Sequence, residues 1–142
     1  MTTLQQLLDR KGREVWSIDP DASVFDAIQT MADRDAGALV VLEDGRLVGI
    51  ITERHYARNV FLKGKSSPKT PVREVMEARV VCAPPEQTVE EAMAVMTEKR
   101  VRHLPVMEAD RLIGIVSIGD LVSHIIADQK FTIEQLEHYI HG

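Results

Sequence analysis

The chain has 142 residues, of which 44% are hydrophobic and 27% are charged, and its formal net charge is −5. These values are typical of one domain-sized globular unit, and the negative charge disfavours a nucleic-acid partner because such binding depends on neutralising phosphates. No apolar run approaches the ~20 residues that a membrane helix needs. The N-terminus has no signal-peptide pattern, and Cys82 is the only cysteine, so the sequence predicts a cytoplasmic protein.

Apolar spacing and turn signals in the first 62 residues predict a short helix followed by one β-α-β-β-α unit. Ser23 is a typical N-cap residue for the second helix. Asp44 and Gly45 lie between two apolar runs and form a strong hairpin signal. The predicted elements, in chain order, are a helix over residues 3–10, a strand over 15–18, a helix over 23–35, strands over 38–42 and 46–51, and a helix over 53–62.

A basic segment with serine and proline follows and predicts a linker, after which a second β-α-β-β-α unit begins. Thr88 and Glu91 have the spacing of a capping box at the start of its first helix. The predicted elements are one helical turn within 72–77, a strand over 80–83, a helix over 88–99, strands over 103–107 and 111–116, a helix to about 128, and a last helix over 132–141. We assign the last helix to docking or dimerisation, because nothing in the repeated unit accounts for it.

The two units are copies of one another. A shift of 65 residues aligns residues 15–55 with residues 80–120 without a gap, and it places Gly49 on Gly114 within similar apolar strands. This internal duplication determines the predicted fold, because one copy is too small to cover both faces of its sheet. We therefore expect the two copies to pack sheet to sheet around one core.

Each copy has a strand that runs directly into a helix N-terminus. In the second copy the strand ends at Ser117, and Asp120 follows three positions later, close to a capping-box pattern. The free N–H groups, the helix dipole and the hydroxyl at such a junction suit a phosphate. The carboxylate suits the two hydroxyls of a ribose. The alternative, from these residues alone, is that Ser117 and Asp120 only cap the helix.

The duplicated pattern resembles the CBS domain, the cystathionine-β-synthase-type repeat, present as a tandem pair over about residues 15–129. The hallmarks are Gly-Ile-Ile-Thr at 49–52, the segment 103–107, the motif at 114–120, and the helices that start at residues 23 and 88. The chain looks like a stand-alone bacterial CBS-pair protein. The resemblance implies an α/β (α+β) fold with pseudo-two-fold symmetry and short terminal helices.

With that fold, the chain divides into five segments. They are an N-terminal helix and lead-in (1–14), the first repeat (15–62), a linker (63–79), the second repeat (80–129) and a C-terminal helix (130–142).

The resemblance implies a regulatory module that binds an adenosine-containing ligand, such as AMP, ADP, ATP, NAD(H) or S-adenosylmethionine, in clefts between the repeats. No catalytic cofactor is expected. The residues expected at the first cleft are Ser117, Asp120, Ile115, Val15, Trp16, Gly37 and Ala38. The residues expected at the second cleft are Thr52, Arg54, His55, Val81, Cys82, Arg102 and His103.

His55 departs from the motif, because it stands where the family has aspartate. A neutral imidazole cannot accept two ribose hydroxyl bonds as a carboxylate can. We therefore expect the Asp120 cleft to bind the adenosine moiety more tightly. The more basic His55 cleft would be weak, empty, or specialised for phosphate, as for a polyphosphate or the far half of a dinucleotide.

The resemblance also implies a homodimer of four repeats in a flat disc, with amphipathic helices at the interface, which transmits the ligand signal to a regulated protein that the sequence does not identify. The candidate interface helices are 53–62 and 118–128, with 23–35 and 88–99 also considered.

No catalytic residues are predicted. His138 and His141 have helical spacing but are interpreted as an exposed pair rather than a metal site. Two alternatives stay open, a ligand-free interaction scaffold with vestigial clefts and an enzyme that acts on a nucleotide.

Overall fold

The computed structural model describes residues 1–141, except for the side chain of His141, and contains two small sheets surrounded by helices. The elements are α1 (Leu4–Lys11), β1 (Ser17–Ile18), α2 (Val24–Arg34), β2 (Ala38–Glu43), β3 (Arg46–Thr52), α3 (Glu53–Tyr56), α4 (Val89–Lys99), β4 (His103–Glu108), β5 (Arg111–Ser117) and α5 (Ile118–His141). A π-helical turn, Ala57–Phe61, extends α3, and two 3₁₀ turns, Ser67–Lys69 and Val72–Glu74, lie between the repeats. The predicted α/β fold of two similar units is confirmed. None of the helices in the described chain is long and apolar enough to cross a membrane.

The two hairpins repeat each other residue by residue. In the first, Val41 pairs with Gly49 and a β-bulge follows; in the second, Val106 pairs with Gly114 and a bulge follows at the same place. Strand β1 adds to the first hairpin in parallel to β2. The 65-residue shift that aligns the sequences therefore also aligns the hydrogen-bond registers.

The predicted strand over 80–83 is wrong. Only Ala83 forms a bridge, in parallel with Val106. In the first repeat the Val40 N–H donates to the Trp16 carbonyl at 3.2 Å. Pro105 occupies the position of Val40 in the second repeat, and proline has no N–H to donate. The segment consequently lies beside β4 without becoming a regular strand.

The prediction of two helices at the C-terminus is also wrong, because α5 is continuous over 24 residues. Residues 129–131 contain neither glycine nor proline, so nothing in the backbone ends the helix there. The Thr132 hydroxyl donates to the Asp128 carbonyl at 3.0 Å, as it does within a helix, and does not cap a new one.

The buried side chains form two clusters instead of the single core expected. The first repeat contributes one cluster, together with Val72 and Val75 from the segment between the repeats. The second repeat contributes the other, together with Leu4 and Leu8 from α1. Each repeat is therefore completed by a segment that lies outside it in the sequence.

The segment that precedes each repeat docks on the other repeat. The Val24 N–H donates to the Thr70 carbonyl at 2.8 Å, and the Val89 N–H donates to the Thr2 carbonyl at 2.9 Å. A methyl group on Gly114 would lie 2.7 Å from the nearest Leu8 side-chain atom, so this glycine permits α1 to approach β5 closely. This exchange connects the two repeats mechanically and positions the end of α1 at the first cleft.

Candidate functional site

Two clefts lie between the repeats, and the first is named the Asp120 cleft. Its volume is about 660 Å³. Six of the seven residues predicted for it line the cleft, and Val15 does not. The lining residues are Lys11, Gly12, Glu14, Trp16, Arg34, Asp35, Ala36, Gly37, Ala38, His103, Ile115, Ser117 and Asp120.

Asp120 and Ser117 cap the N-terminus of α5 reciprocally. The Ser117 N–H donates to Asp120 Oδ2 at 2.8 Å, and the Asp120 N–H donates to Ser117 Oγ at 3.1 Å. Lys11 Nζ donates to the same Oδ2 at 2.7 Å. All the hydrogen bonds that the described residues make to this carboxylate therefore involve one of its two oxygens.

The carboxyl group of Asp120 is ionised well into the acidic range. Burial alone would raise its pKa, but the hydrogen bonds from Lys11 and Ser117, together with the charge of Lys11, outweigh burial and lower the pKa below its ordinary value. The cleft therefore contains a permanent anionic acceptor at neutral pH, paired with one lysine.

Trp16 forms part of the opposite wall and is half-buried. The guanidinium of Arg34 lies over its ring, 4.3 Å from the centroid, in a cation–π arrangement. This contact holds the indole in the lining of the cleft, to which Gly37 and Ala38 also contribute.

The second cleft, named the His55 cleft, has a volume of about 680 Å³. Six of the seven residues expected there line it, whereas Cys82 does not and is exposed. The six are Thr52, Arg54, His55, Val81, Arg102 and His103. The other lining residues are Gly37, Ile50, Glu53, Arg58, Asn59, Glu77, Arg79, Val80, Lys99, Arg100 and Val101.

His55 takes over the capping role that the motif gives to an acid. The Thr52 N–H donates to His55 Nδ1 at 3.1 Å, and the His55 N–H donates to Thr52 Oγ1 at 3.2 Å. Because Nδ1 accepts a hydrogen bond, the ring proton is assigned to Nε2. Burial lowers the pKa of His55 more than Glu77 raises it, and Arg54 lowers it further, so the neutral ring is favoured.

The His55 cleft is strongly basic. Two carboxylates, Glu53 and Glu77, face six cationic side chains along its lining. The six are Arg54, Arg58, Arg79, Lys99, Arg100 and Arg102. The Asp120 cleft, in contrast, has two cations and three acids. The two clefts consequently differ in charge although they derive from one duplicated unit.

His103 and Gly37 line both clefts and form the wall between them. Burial lowers the pKa of His103, partly offset by Asp120, while Lys11 and Arg102 lower it further. The imidazole of His103 lies close to Gly37, since a methyl group added to this glycine would be 3.6 Å from His103 Nε2. A bound molecule in one cleft therefore lies next to a residue that also lines the other.

The CBS domain family matches residues 11–61 and residues 72–127, which together cover most of the chain. The chain is a pair of CBS domains. A protein with CBS domains from Burkholderia ambifaria, described as a candidate signal-transduction protein, is 47% identical with a TM-score of 0.88, over 90% of this chain and 96% of that one.

Two further relatives of the CBS pair are more distant. The mitochondrial CBS domain-containing protein CBSX3 of Arabidopsis thaliana is 37% identical over 99% of this chain and 73% of its own length. The CBS domain pair of protein MJ0100, in a complex with 5′-methylthioadenosine and S-adenosyl-L-methionine, is 21% identical with a TM-score of 0.78, over 91% of this chain and 98% of that one. The last similarity shows a shared fold only.

The sequence did not single out Lys11 or Arg34 as residues of the CBS pair's first cleft. Lys11 precedes the duplicated region, so the 65-residue shift has no counterpart for it, and its partner Asp120 is 109 positions away. Arg34 is in the last turn of α2, and its one signal is that the 65-residue shift places it on Lys99, which lines the other cleft. No group of three or more His, Cys, Asp or Glu residues suited to a metal is present in the described chain; His138 is exposed there, and the side chain of His141 lies outside it.

Proposed function

We propose that this CBS pair is a regulatory sensor that binds an adenosine-containing ligand, AMP, ADP, ATP or NAD(H), in the Asp120 cleft. The observation that carries the proposal is the carboxylate of Asp120 at the N-terminus of α5. Its Oδ2 atom accepts from Ser117 and Lys11, and the hydrogen bonds of the described residues leave Oδ1 for a ribose hydroxyl. The α5 N-terminus and the Lys11 ammonium are suited to phosphate.

The shape of the cleft is compatible with such a ligand. Its volume of about 660 Å³ lies within the range of small-molecule sites, about 300–1,000 Å³. The backbone at Gly37 and Ala38 comes from the first repeat, whereas Ser117 and Asp120 come from the second. One bound molecule would therefore bridge both repeats. MJ0100, which has the same fold, was crystallised with two adenosyl compounds, and this supports the ligand class.

Signalling follows from that bridging position. A ligand that contacts both repeats can shift their arrangement only by its difference in affinity for the two arrangements. The exchanged segments connect each repeat to the other, so a change at the cleft would reach α1 through Lys11. A regulated protein, not identified by the sequence, would respond to the new shape. We propose no catalytic role.

A thermal-shift titration of the purified chain tests this proposal. We expect AMP, ADP, ATP, NAD⁺ or NADH at a hundred times its Kd to add about 2.7 kcal/mol to the stability, which raises the Tm by about 5–11 °C for a chain of this size. S-adenosylmethionine serves as a further adenosyl compound. The absence of a shift with every ligand would contradict the sensor function and favour the alternative, a ligand-free interaction scaffold.

We also propose that the CBS pair is a homodimer and that α5 contributes to its interface. Five exposed apolar side chains on α5 recur at the a and d spacing of a heptad, with Gln129 at the one remaining position. They are Val122, Ile126, Ile133, Leu136 and Ile140. We call this row of side chains the α5 seam. In a coiled coil each such side chain inserts into a hole between residues of the facing helix, so the exposed α5 seam is suited to pairing with α5 of a second copy.

The seam leads to a prediction about oligomeric state. We expect Leu136→Glu to convert the dimer to a monomer in light scattering coupled to gel filtration, because a charge would be buried in the seam. The matched control is Phe131→Glu. Phe131 is 60% exposed and Leu136 57%, but Phe131 lies on the opposite face of α5. Equal effects of the two variants, or a wild-type monomer, would contradict this arrangement.

A further inference from the structure

The His55 cleft lacks the acceptor that a ribose requires. His55 Nδ1 already accepts the Thr52 N–H at 3.1 Å, and the remaining ring nitrogen, Nε2, is a donor. A donor in this position suits an anionic oxygen better than a pair of hydroxyls. The duplicated motif thus presents a carboxylate in one cleft and an N–H group in the other.

The cations that line the His55 cleft come from three segments of the chain. Arg54 and Arg58 lie on α3 and the π-helical turn, and Arg79 lies on the segment between the repeats. The remaining three, Lys99, Arg100 and Arg102, lie between the end of α4 and the start of β4. The four ion pairs found among the described residues involve other side chains, so these cations are not neutralised by direct pairing there.

We propose that the His55 cleft is a binding site for a linear polyphosphate group, not for a nucleoside. Glu53 and Glu77 offset only two of the six cations around this cavity of about 680 Å³, so several closely spaced negative charges are needed to match the rest. Guanidinium groups bind phosphate oxygens through paired N–H donors, and the Nε2–H of His55 adds a further donor. The site needs no adenosine moiety and is therefore separate from the function proposed for the Asp120 cleft.

Two sources can supply this group. One is free polyphosphate. The other is the phosphate tail of a nucleotide whose adenosine lies in the Asp120 cleft, because Gly37 and His103 border both clefts. The chemistry that the His55 cleft recognises is the same in both cases.

Calorimetric titration of the full chain with sodium tripolyphosphate tests the site. We expect saturable binding that weakens as salt is raised, and a loss of at least tenfold in Arg54→Gln/Arg102→Gln. The matched control is Arg46→Gln/Arg111→Gln, which removes two exposed arginines from the ends of β3 and β5, outside the cleft lining. The control should change the Kd by less than threefold. Absence of binding to the wild type, or equal losses in both double variants, would overturn the proposal.

A third variant tests the role of His55 directly. His55→Asp can keep the cap on Thr52 but replaces a donor with a carboxylate, so we expect it to weaken tripolyphosphate binding at least tenfold while the melting curve stays close to that of the wild type. Unchanged tripolyphosphate affinity in this variant would count against the assigned donor.

Competition between ATP and tripolyphosphate shows which of the two sources supplies the polyphosphate group. Displacement of tripolyphosphate by ATP that is lost in Asp120→Ala supports a nucleotide tail, and tripolyphosphate binding that ATP does not affect supports free polyphosphate. AMP binding in the Asp120 cleft is measured separately, so that failure of either site can be recognised.

Discussion

We expect Asp120→Ala to weaken AMP binding about ten- to a hundredfold. The substitution removes a charged acceptor from the ribose position, and the loss of a hydrogen bond to a charged group costs about 1.5–3 kcal/mol. It also releases Lys11, whose ammonium lies 2.7 Å from Asp120 Oδ2 in the free protein. Calorimetric titration with AMP gives the Kd of both proteins.

Two further variants distinguish a loss of ligand binding from a loss of folding. Asp120→Asn keeps an oxygen that can accept the Ser117 N–H, so the α5 cap is preserved while the negative charge is lost. It should bind AMP more weakly than the wild type without a large change in Tm. His55→Ala should leave AMP affinity nearly unchanged. Equal losses in Asp120→Ala and His55→Ala would contradict the assignment of adenosine to the Asp120 cleft.

The duplication is what made the fold predictable from one sequence. Because residues 15–55 and 80–120 align without a gap, each uncertain element in one copy was supported by its counterpart in the other. The hairpin registers, including the bulges after Val41 and Val106, follow the same 65-residue shift. The elements that were predicted wrongly are those where one copy, or the C-terminal region, departs from the repeat.

Pro105 shows how a single residue breaks that symmetry. The apolar pattern at 80–83 matches that of β1, but strand pairing also needs donors from the neighbouring strand, and proline supplies none. Likewise, Thr132 has the residue type of an N-cap, yet no breaker precedes it, so α5 continues through it. Residue type alone could not distinguish a cap from a helix interior.

The contacts of the exchanged segments could not be predicted from the sequence. The bonds from Val24 to Thr70 and from Val89 to Thr2 join backbone atoms far apart in the chain, and backbone hydrogen bonds have no residue signature. Lys11 reaches the Asp120 cleft for the same reason, because it is the last residue of α1, which docks on the second repeat. Residues of the two duplicated motifs line the two clefts, whereas the pairing of Asp120 with Lys11 could be seen only in the fold.

The docking of α1 on the second repeat predicts a large loss of stability in Leu8→Ala. Leu8 is fully buried in the cluster of the second repeat and lies against Gly114. Removing a buried leucine side chain leaves a cavity as well as losing apolar burial, so we expect unfolding free energy to fall by about 2–5 kcal/mol in urea denaturation. Leu62→Ala is the control, because Leu62 is 74% exposed and its substitution should cost about 0.5 kcal/mol or less. If the two substitutions had equally small effects, α1 would not be part of the second repeat's core. The proposed transmission of a ligand signal from the Asp120 cleft through Lys11 and α1 would then be contradicted as well.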